Sequence, residues 1–347
     1  MPLETYTAVY DAIAVPFAWF VVALFAVGAL AQYRDEPRAR WLLAGAWAVF
    51  GLFWAFQAPH FAFVQKSAIE GVGAVVAAPA SLHVARLLLG GRDSLVVLSR
   101  AVAVMGVVFM PFEAVPWLQE WLVEVVAGQT RFLMTLLGFE PTLIPWDEAA
   151  RRVAAFYEFG PERTATYAGK YAPYENTFFF TYDGRPITYT IVLACTGLGS
   201  MAIFAGLIAG VRAPLSRKVR AFAVSIPVIY ALNLVRNVFI GLSFGHQYAH
   251  VFPDLVMAAF GTDDPYMVSY FVADRVIAQS LSVVALVAVT YLVVRELPEV
   301  LTPVEDLLYV ATGNEYDLGA TLEPGEESEK TEEGEESEEP RPAPVSD

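Results

Sequence analysis

Apolar residues in this chain come in long blocks separated by short polar stretches, with little amphipathic striping inside the blocks. A helix needs about 20 such residues to cross a hydrocarbon core of about 30 Å. The pattern predicts seven crossings, near residues 12–32, 41–63, 68–89, 95–112, 189–210, 221–244 and 268–294. Residues 115–139 are apolar too, but Gln119, Glu120, Glu124, Gln129 and Arg131 interrupt them. That favours an amphipathic or re-entrant element over an eighth crossing. The expected fold class is an all-α polytopic membrane protein of about seven, at most eight, transmembrane helices. No cleavable signal peptide is expected, because Glu4 and Asp11 stand where a basic leader region would be.

The polar stretches orient this set of helices. Short cytoplasmic loops are enriched in lysine and arginine. Arg34, Arg38 and Arg40 follow the first span, Arg92 and Arg100 flank the start of the fourth, and Arg212, Arg217, Lys218 and Arg220 separate the fifth from the sixth. Seven crossings put all three clusters on one side, with the N-terminus outside and the C-terminus inside. Four regions result. Residues 1–112 hold the N-terminal transmembrane helices, 113–188 an extracytoplasmic insertion, 189–300 a second membrane core, and 301–347 an acidic, disordered cytoplasmic tail. Within the insertion, residues 177–182, the Asp183-Gly184 pair and residues 185–190 read as a β-hairpin with a type I′ turn. Its open edge would lie above the start of the fifth span, where an extended peptide can add as a further strand. Tyr157, Tyr167, Tyr171 and Tyr174 read as an interfacial aromatic belt rather than a specific cage.

Composition agrees with the block pattern: 56% of the 347 residues are hydrophobic, and mean hydropathy is +0.48. The net charge is nevertheless −15. From Glu323 onward there are eleven acidic and two basic residues, a composition that does not support a packed core. Acidity concentrated in the soluble parts fits a salt-rich, halophilic archaeal setting, where repulsion between charges is screened. No phosphate-binding loop, redox motif, nucleic-acid patch or internal repeat is visible in the sequence. His246 and His250 have helical ligand spacing without a third ligand nearby, so neither a metal nor any other cofactor is expected.

Three residues carry the candidate chemistry. The chain's single cysteine, Cys195, opens the fifth span, while Arg236 lies near the outer end of the sixth and Arg275 near the start of the seventh. At about 1.5 Å per residue, all three fall about 5 to 12 Å below the outer interface. A charge in hydrocarbon is costly and marks function or headgroup anchoring. A thiol reacts as its thiolate, which a neighbouring cation favours. Arginine keeps its proton, so its roles are to stabilise the thiolate and to donate hydrogen bonds to an oxyanion.

At these residues the chain resembles a family. Ala194-Cys-Thr-Gly197 opening a span, Asn233-Leu-Val-Arg-Asn237 in the next and Asp274-Arg275 in the one after are similar to the signature of exosortases and archaeosortases. Bacterial members usually carry histidine at the third position; Arg275 matches the archaeal branch. The resemblance implies a membrane-embedded cysteine transpeptidase with Cys195, Arg236 and Arg275 as its catalytic set, which makes 189–300 the catalytic core. It also implies partners: secreted proteins such as surface-layer glycoprotein, bearing a C-terminal Pro-Gly-Phe signal, and an archaeal membrane lipid as acceptor. The alternative is a polytopic transporter or scaffold binding anionic headgroups through Arg236 and Arg275. A transporter would be expected to show symmetry-related broken spans.

Overall fold

The computed structural model describes residues 3–32, 34, 36–64 and 68–322. The acidic stretch from Glu323 onward lies outside them. The first helices are α1 (Leu3–Ala31), α2 (Glu36–Pro59), α3 (Ala68–Leu89) and α4 (Leu95–Ala114). They pack around Phe25, Leu43, Leu88 and Leu95, all fully buried. Helix α5 (Pro116–Leu136) follows, then β1 (Thr142–Pro145), α6 (Trp146–Phe156), α7 (Pro161–Ala168), β2 (Glu175–Tyr182) and β3 (Arg185–Thr190). The chain continues through α8 (Leu198–Gly210), α9 (Leu215–Gly245) and α10 (Pro253–Phe260). It ends in one long helical segment, α11 (Met267–Tyr270), a π-helical stretch at Phe271–Ala278 and α12 (Gln279–Glu296), and then α13 (Leu301–Thr312) and α14 (Leu318–Leu322).

Six helical segments among the described residues are long and apolar enough to cross a membrane: Val9–Ala31, Pro37–Val64, Gly71–Leu89, Leu95–Ala114, Leu215–Gly245 and Met267–Glu296. Large apolar side chains stay exposed along them, Leu281, Val284 and Val287 on α12 among them, as lipid-facing surfaces require. The chain is a multi-pass membrane protein. The expected span over residues 189–210 is different from the expectation, because only the 13-residue α8 is helical there. The reason lies in the β-branched run Ile187-Thr-Tyr-Thr-Ile-Val192, whose first residues pair with β2 instead of coiling. Likewise α13, inside the expected disordered tail, is folded onto α4: Arg92 Nε meets the buried Asp306 carboxylate at 3.0 Å.

The basic loops do gather at one end. Arg40 in the first turns of α2 pairs with Asp93 just before α4, and Arg217 and Arg220 pair with Glu299 and Glu296. The sheet occupies the opposite end, in the order β1-β2-β3, antiparallel throughout. Asp183 and Gly184 both have positive φ, 49° and 74°, the geometry of the expected type I′ turn. One sheet face packs through Phe178, Phe180, Ile187 and Tyr189 onto α5 and α9. Each such buried side chain contributes about 1.5–3 kcal/mol. The close approach depends on two glycines one turn apart on α9. A Cβ at Gly241 would lie 2.6 Å from Met134 and 3.1 Å from Tyr189, and one at Gly245 would lie 2.5 Å from the Phe180 ring. The other face carries α6 and α7 over Trp146, Ala149 and Ala150, fully or almost fully buried. Both ends of α5 touch this end of the molecule: Gln119 accepts from Tyr174, Glu124 from the Glu175 amide, and Phe139, just past the helix, packs on His246.

Candidate active site

Cys195 sits in a 3₁₀ turn, Leu193–Thr196, between the end of β3 and the start of α8. Its amide donates to the Val192 carbonyl at 2.8 Å, and Thr196 Oγ1 closes the turn onto the Leu193 carbonyl at 2.7 Å. The next residue, Gly197, has φ +77° and faces Asn233 so closely that a Cβ there would stand 3.0 Å from the Asn233 side chain. Only glycine takes both the left-handed conformation and the contact without strain.

Helix α9 holds the turn. Asn233 and Asn237 both donate from Nδ2 to the Cys195 carbonyl, at 2.8 and 2.9 Å, and Tyr189 donates its hydroxyl to Asn237 Oδ1 at 3.0 Å. The two asparagines are four residues apart and share one helix face with each other. Arg236, between them in sequence, reaches Asp274 instead: its Nη2 lies 2.5 Å from Asp274 Oδ1. Arg275 Nε lies 3.5 Å from Asp274 Oδ2. One carboxylate thus stands between two guanidiniums. Asp274 is buried, Arg236 is half-buried and Arg275 is exposed. The charge-assisted geometry fixes the fork of Arg236 more tightly than that of Arg275.

All three candidate residues line one cavity of about 650 Å³, together with Asp274, Tyr270 and the whole of β3. The cavity opens between the sheet, the α6–α7 layer and the loop around Asp264–Tyr266. Tyr157, Tyr167 and Tyr171, expected in a belt, line its wall, because α6 and α7 fold back over the sheet; Tyr174 turns to Gln119 instead. Tyr167 interacts with Thr188, and burial pushes its hydroxyl above the ordinary tyrosine value against that hydrogen bond.

Sequence reasoning did not find Asp274, Asn233, Asn237 or Tyr189 as site residues. The first three stand inside the motif segments already singled out, which was the available signal. The placement of Asp274 and Arg275 within the π-helical stretch Phe271–Ala278 had none. Such segments are frequent at functional sites.

Residues 11–263 match the family model described as transmembrane exosortase. The chain belongs to this family. Among exosortase relatives it is 49% identical over 311 residues to archaeosortase A of Haloferax volcanii, an alignment covering 87% of this chain and 95% of the relative. It is 43% identical over 296 residues to archaeosortase A of Natronomonas pharaonis, covering 84% of this chain and 87% of that one. Haloarchaeal exosortase relatives agree with the halophilic setting that the acidity indicates. No solved structure matches the chain.

Proposed function

We propose that the protein is a membrane-embedded cysteine transpeptidase that cleaves a C-terminal sorting signal of the Pro-Gly-Phe type from secreted surface proteins. The new C-terminus passes through a thioester on Cys195 to a membrane lipid. The observation that carries this reading is the shared cavity of Cys195, Arg236 and Arg275, with Asp274 holding both guanidiniums. Family membership and the archaeosortase A relatives support it.

In this mechanism the Cys195 thiolate attacks the scissile carbonyl, and Arg236 donates to the oxyanion that forms. Collapse of the intermediate breaks the C–N bond, and the departing amine takes up the proton the thiol gave up. A nucleophilic group of the lipid then opens the thioester and loses its own proton as the thiol regains one. Arg275 supplies positive charge beside the sulfur. Neither arginine acts as the base, since guanidinium does not release its proton. The headgroup-binding alternative has less support, because the family match and the archaeosortase A relatives point to sorting transpeptidases.

The orientation belongs to the same proposal. If the 13-residue α8 is counted as a crossing beside the six long helices, with α5 lying across the sheet end, the cavity faces the extracytoplasmic side. Fusion reporters at Arg38, Arg217 and Glu326 are expected to read cytoplasm, and those at Tyr171 and Asp254 exterior. A cytoplasmic reading at Tyr171 would place the cavity on the wrong side for secreted substrates.

The decisive experiment is genetic. Cells lacking this protein should accumulate surface-layer glycoprotein that keeps its C-terminal segment and carries no lipid, and re-expression should restore both. Unchanged size and lipidation in the deletion strain would overturn the proposal.

A further inference from the structure

The free edge of β3 runs directly into the candidate nucleophile. Tyr182 and Arg185 flank a two-residue turn, so the pairs Tyr182–Arg185, Phe180–Ile187 and Phe178–Tyr189 are the ones that exchange backbone hydrogen bonds. The Ile191 amide, donating to the Asn176 carbonyl at 2.9 Å, continues that alternation. The intervening residues, Pro186, Thr188 and Thr190, therefore turn their backbone groups away from β2. Among the described residues no further strand pairs there, and no backbone hydrogen bond from another segment reaches those groups. Thr188 and Thr190 each offer one amide and one carbonyl; Pro186 offers a carbonyl alone.

That edge is enclosed rather than open to bulk solvent. Every residue from Arg185 to Thr190 lines the cavity, and its floor continues through Val192 and Ala194 to Cys195. The strand covers about 17 Å. Trp146, Tyr167 and Tyr171 form one wall, Tyr266 and Tyr270 the other. At the end remote from Cys195, Arg185 and Asp264 line the cavity, with Arg185 over the Tyr266 ring at 4.8 Å. A slot with alternate backbone donors and acceptors and aromatic walls has the shape and chemistry of an extended polypeptide.

We infer that the substrate stretch immediately N-terminal to the scissile bond docks as a fourth strand beside β3, parallel to it. The direction follows from the fold and rests on the transpeptidase reading. Strand β3 runs from the hairpin tip toward Cys195, so a chain entering past the tip presents its carbonyl to the thiol at the far end. Residues after that bond then continue beyond Cys195, away from the sheet. Specificity along this stretch repeats every second residue, because alternate side chains point to opposite walls.

Disulfide trapping tests this. Cys195 is the chain's only cysteine, so the full-length double variant Thr188→Cys, Cys195→Ala carries a single thiol. The probe is a synthetic peptide of the C-terminal region of surface-layer glycoprotein, with one cysteine moved residue by residue across the cleavage point, in vesicles of archaeal lipid under copper phenanthroline. Trapping is expected to peak at a single position upstream of the cleavage point, with weaker trapping two residues to either side, on the order of tenfold above the intervening ones. Absent trapping, uniform trapping, or trapping confined to downstream positions would overturn the inference. In parallel, Thr188→Pro, which removes an outward amide and no ladder bond, should slow processing about tenfold at an unchanged melting temperature in detergent. Cleavage of the same peptide by the unmodified protein reports on the transpeptidase reading separately.

Discussion

Cys195→Ala is expected to abolish C-terminal processing while leaving the protein inserted and folded. The turn that carries the thiol is held by its backbone: Asn233 and Asn237 grip the Cys195 carbonyl, and neither bond involves the side chain. Alanine keeps that carbonyl and removes only sulfur. Loss of a covalent nucleophile costs on the order of 10⁴-fold or more. Cys195→Ser should be nearly as inactive. A hydroxyl needs an adjacent base to attack, and no histidine lines this cavity. The measurement is the fraction of mature surface protein at matched membrane abundance, with thermal unfolding in detergent as the folding control. Full processing by the alanine variant would end the case for a thioester.

The second large effect separates the arginines. Arg236 has a quarter of its side chain exposed and Arg275 half, and the shorter contact to Asp274 belongs to Arg236. A planar fork seated on a carboxylate and turned toward an oxyanion has no lysine equivalent. Arg236→Lys is therefore expected to lose about 10²–10³-fold in processing, the cost of removing an oxyanion donor. At Arg275 a compact cation or a protonated ring can still supply charge, so Arg275→Lys and Arg275→His should both keep measurable activity. Equal loss at the two positions would show that they share one role. No loss at either would return both to headgroup anchoring.

Block hydropathy made the long spans legible, since lipid-facing helices are apolar on every side and need no periodicity to be seen. The hairpin was legible because Asp183-Gly184 is a turn signal set between β-branched and aromatic runs. The convergence of Cys195, Arg236 and Arg275 was readable as three chemically expensive residues at one depth, and the shared cavity agrees with it. Three things were hidden. Strand β1 is four residues long and ends in Pro145, too short for alternation to register. The boundary between β3 and α8 lies inside a continuous apolar run, so its extended half read as the start of a helix. Asp274 looked like a helix residue beside an arginine; its bond to Arg236, 38 positions away, is a tertiary fact.

The π-helical stretch Phe271–Ala278 also has a genetic meaning. A π turn is what an α-helix becomes when it accommodates one residue more than its i→i−4 ladder holds. Each residue advances an α-helix by about 100°, so this single surplus sets the azimuth of α12 relative to α11. The chain can lose a residue there and still be long enough to span, but the faces of α11 and α12 would no longer agree. Either Asp274 and Arg275 would swing off the cavity or Val289 and Val293 would leave their buried seats against α8 and α9. Loss of one residue from these eight would therefore sacrifice either the cavity or the bundle.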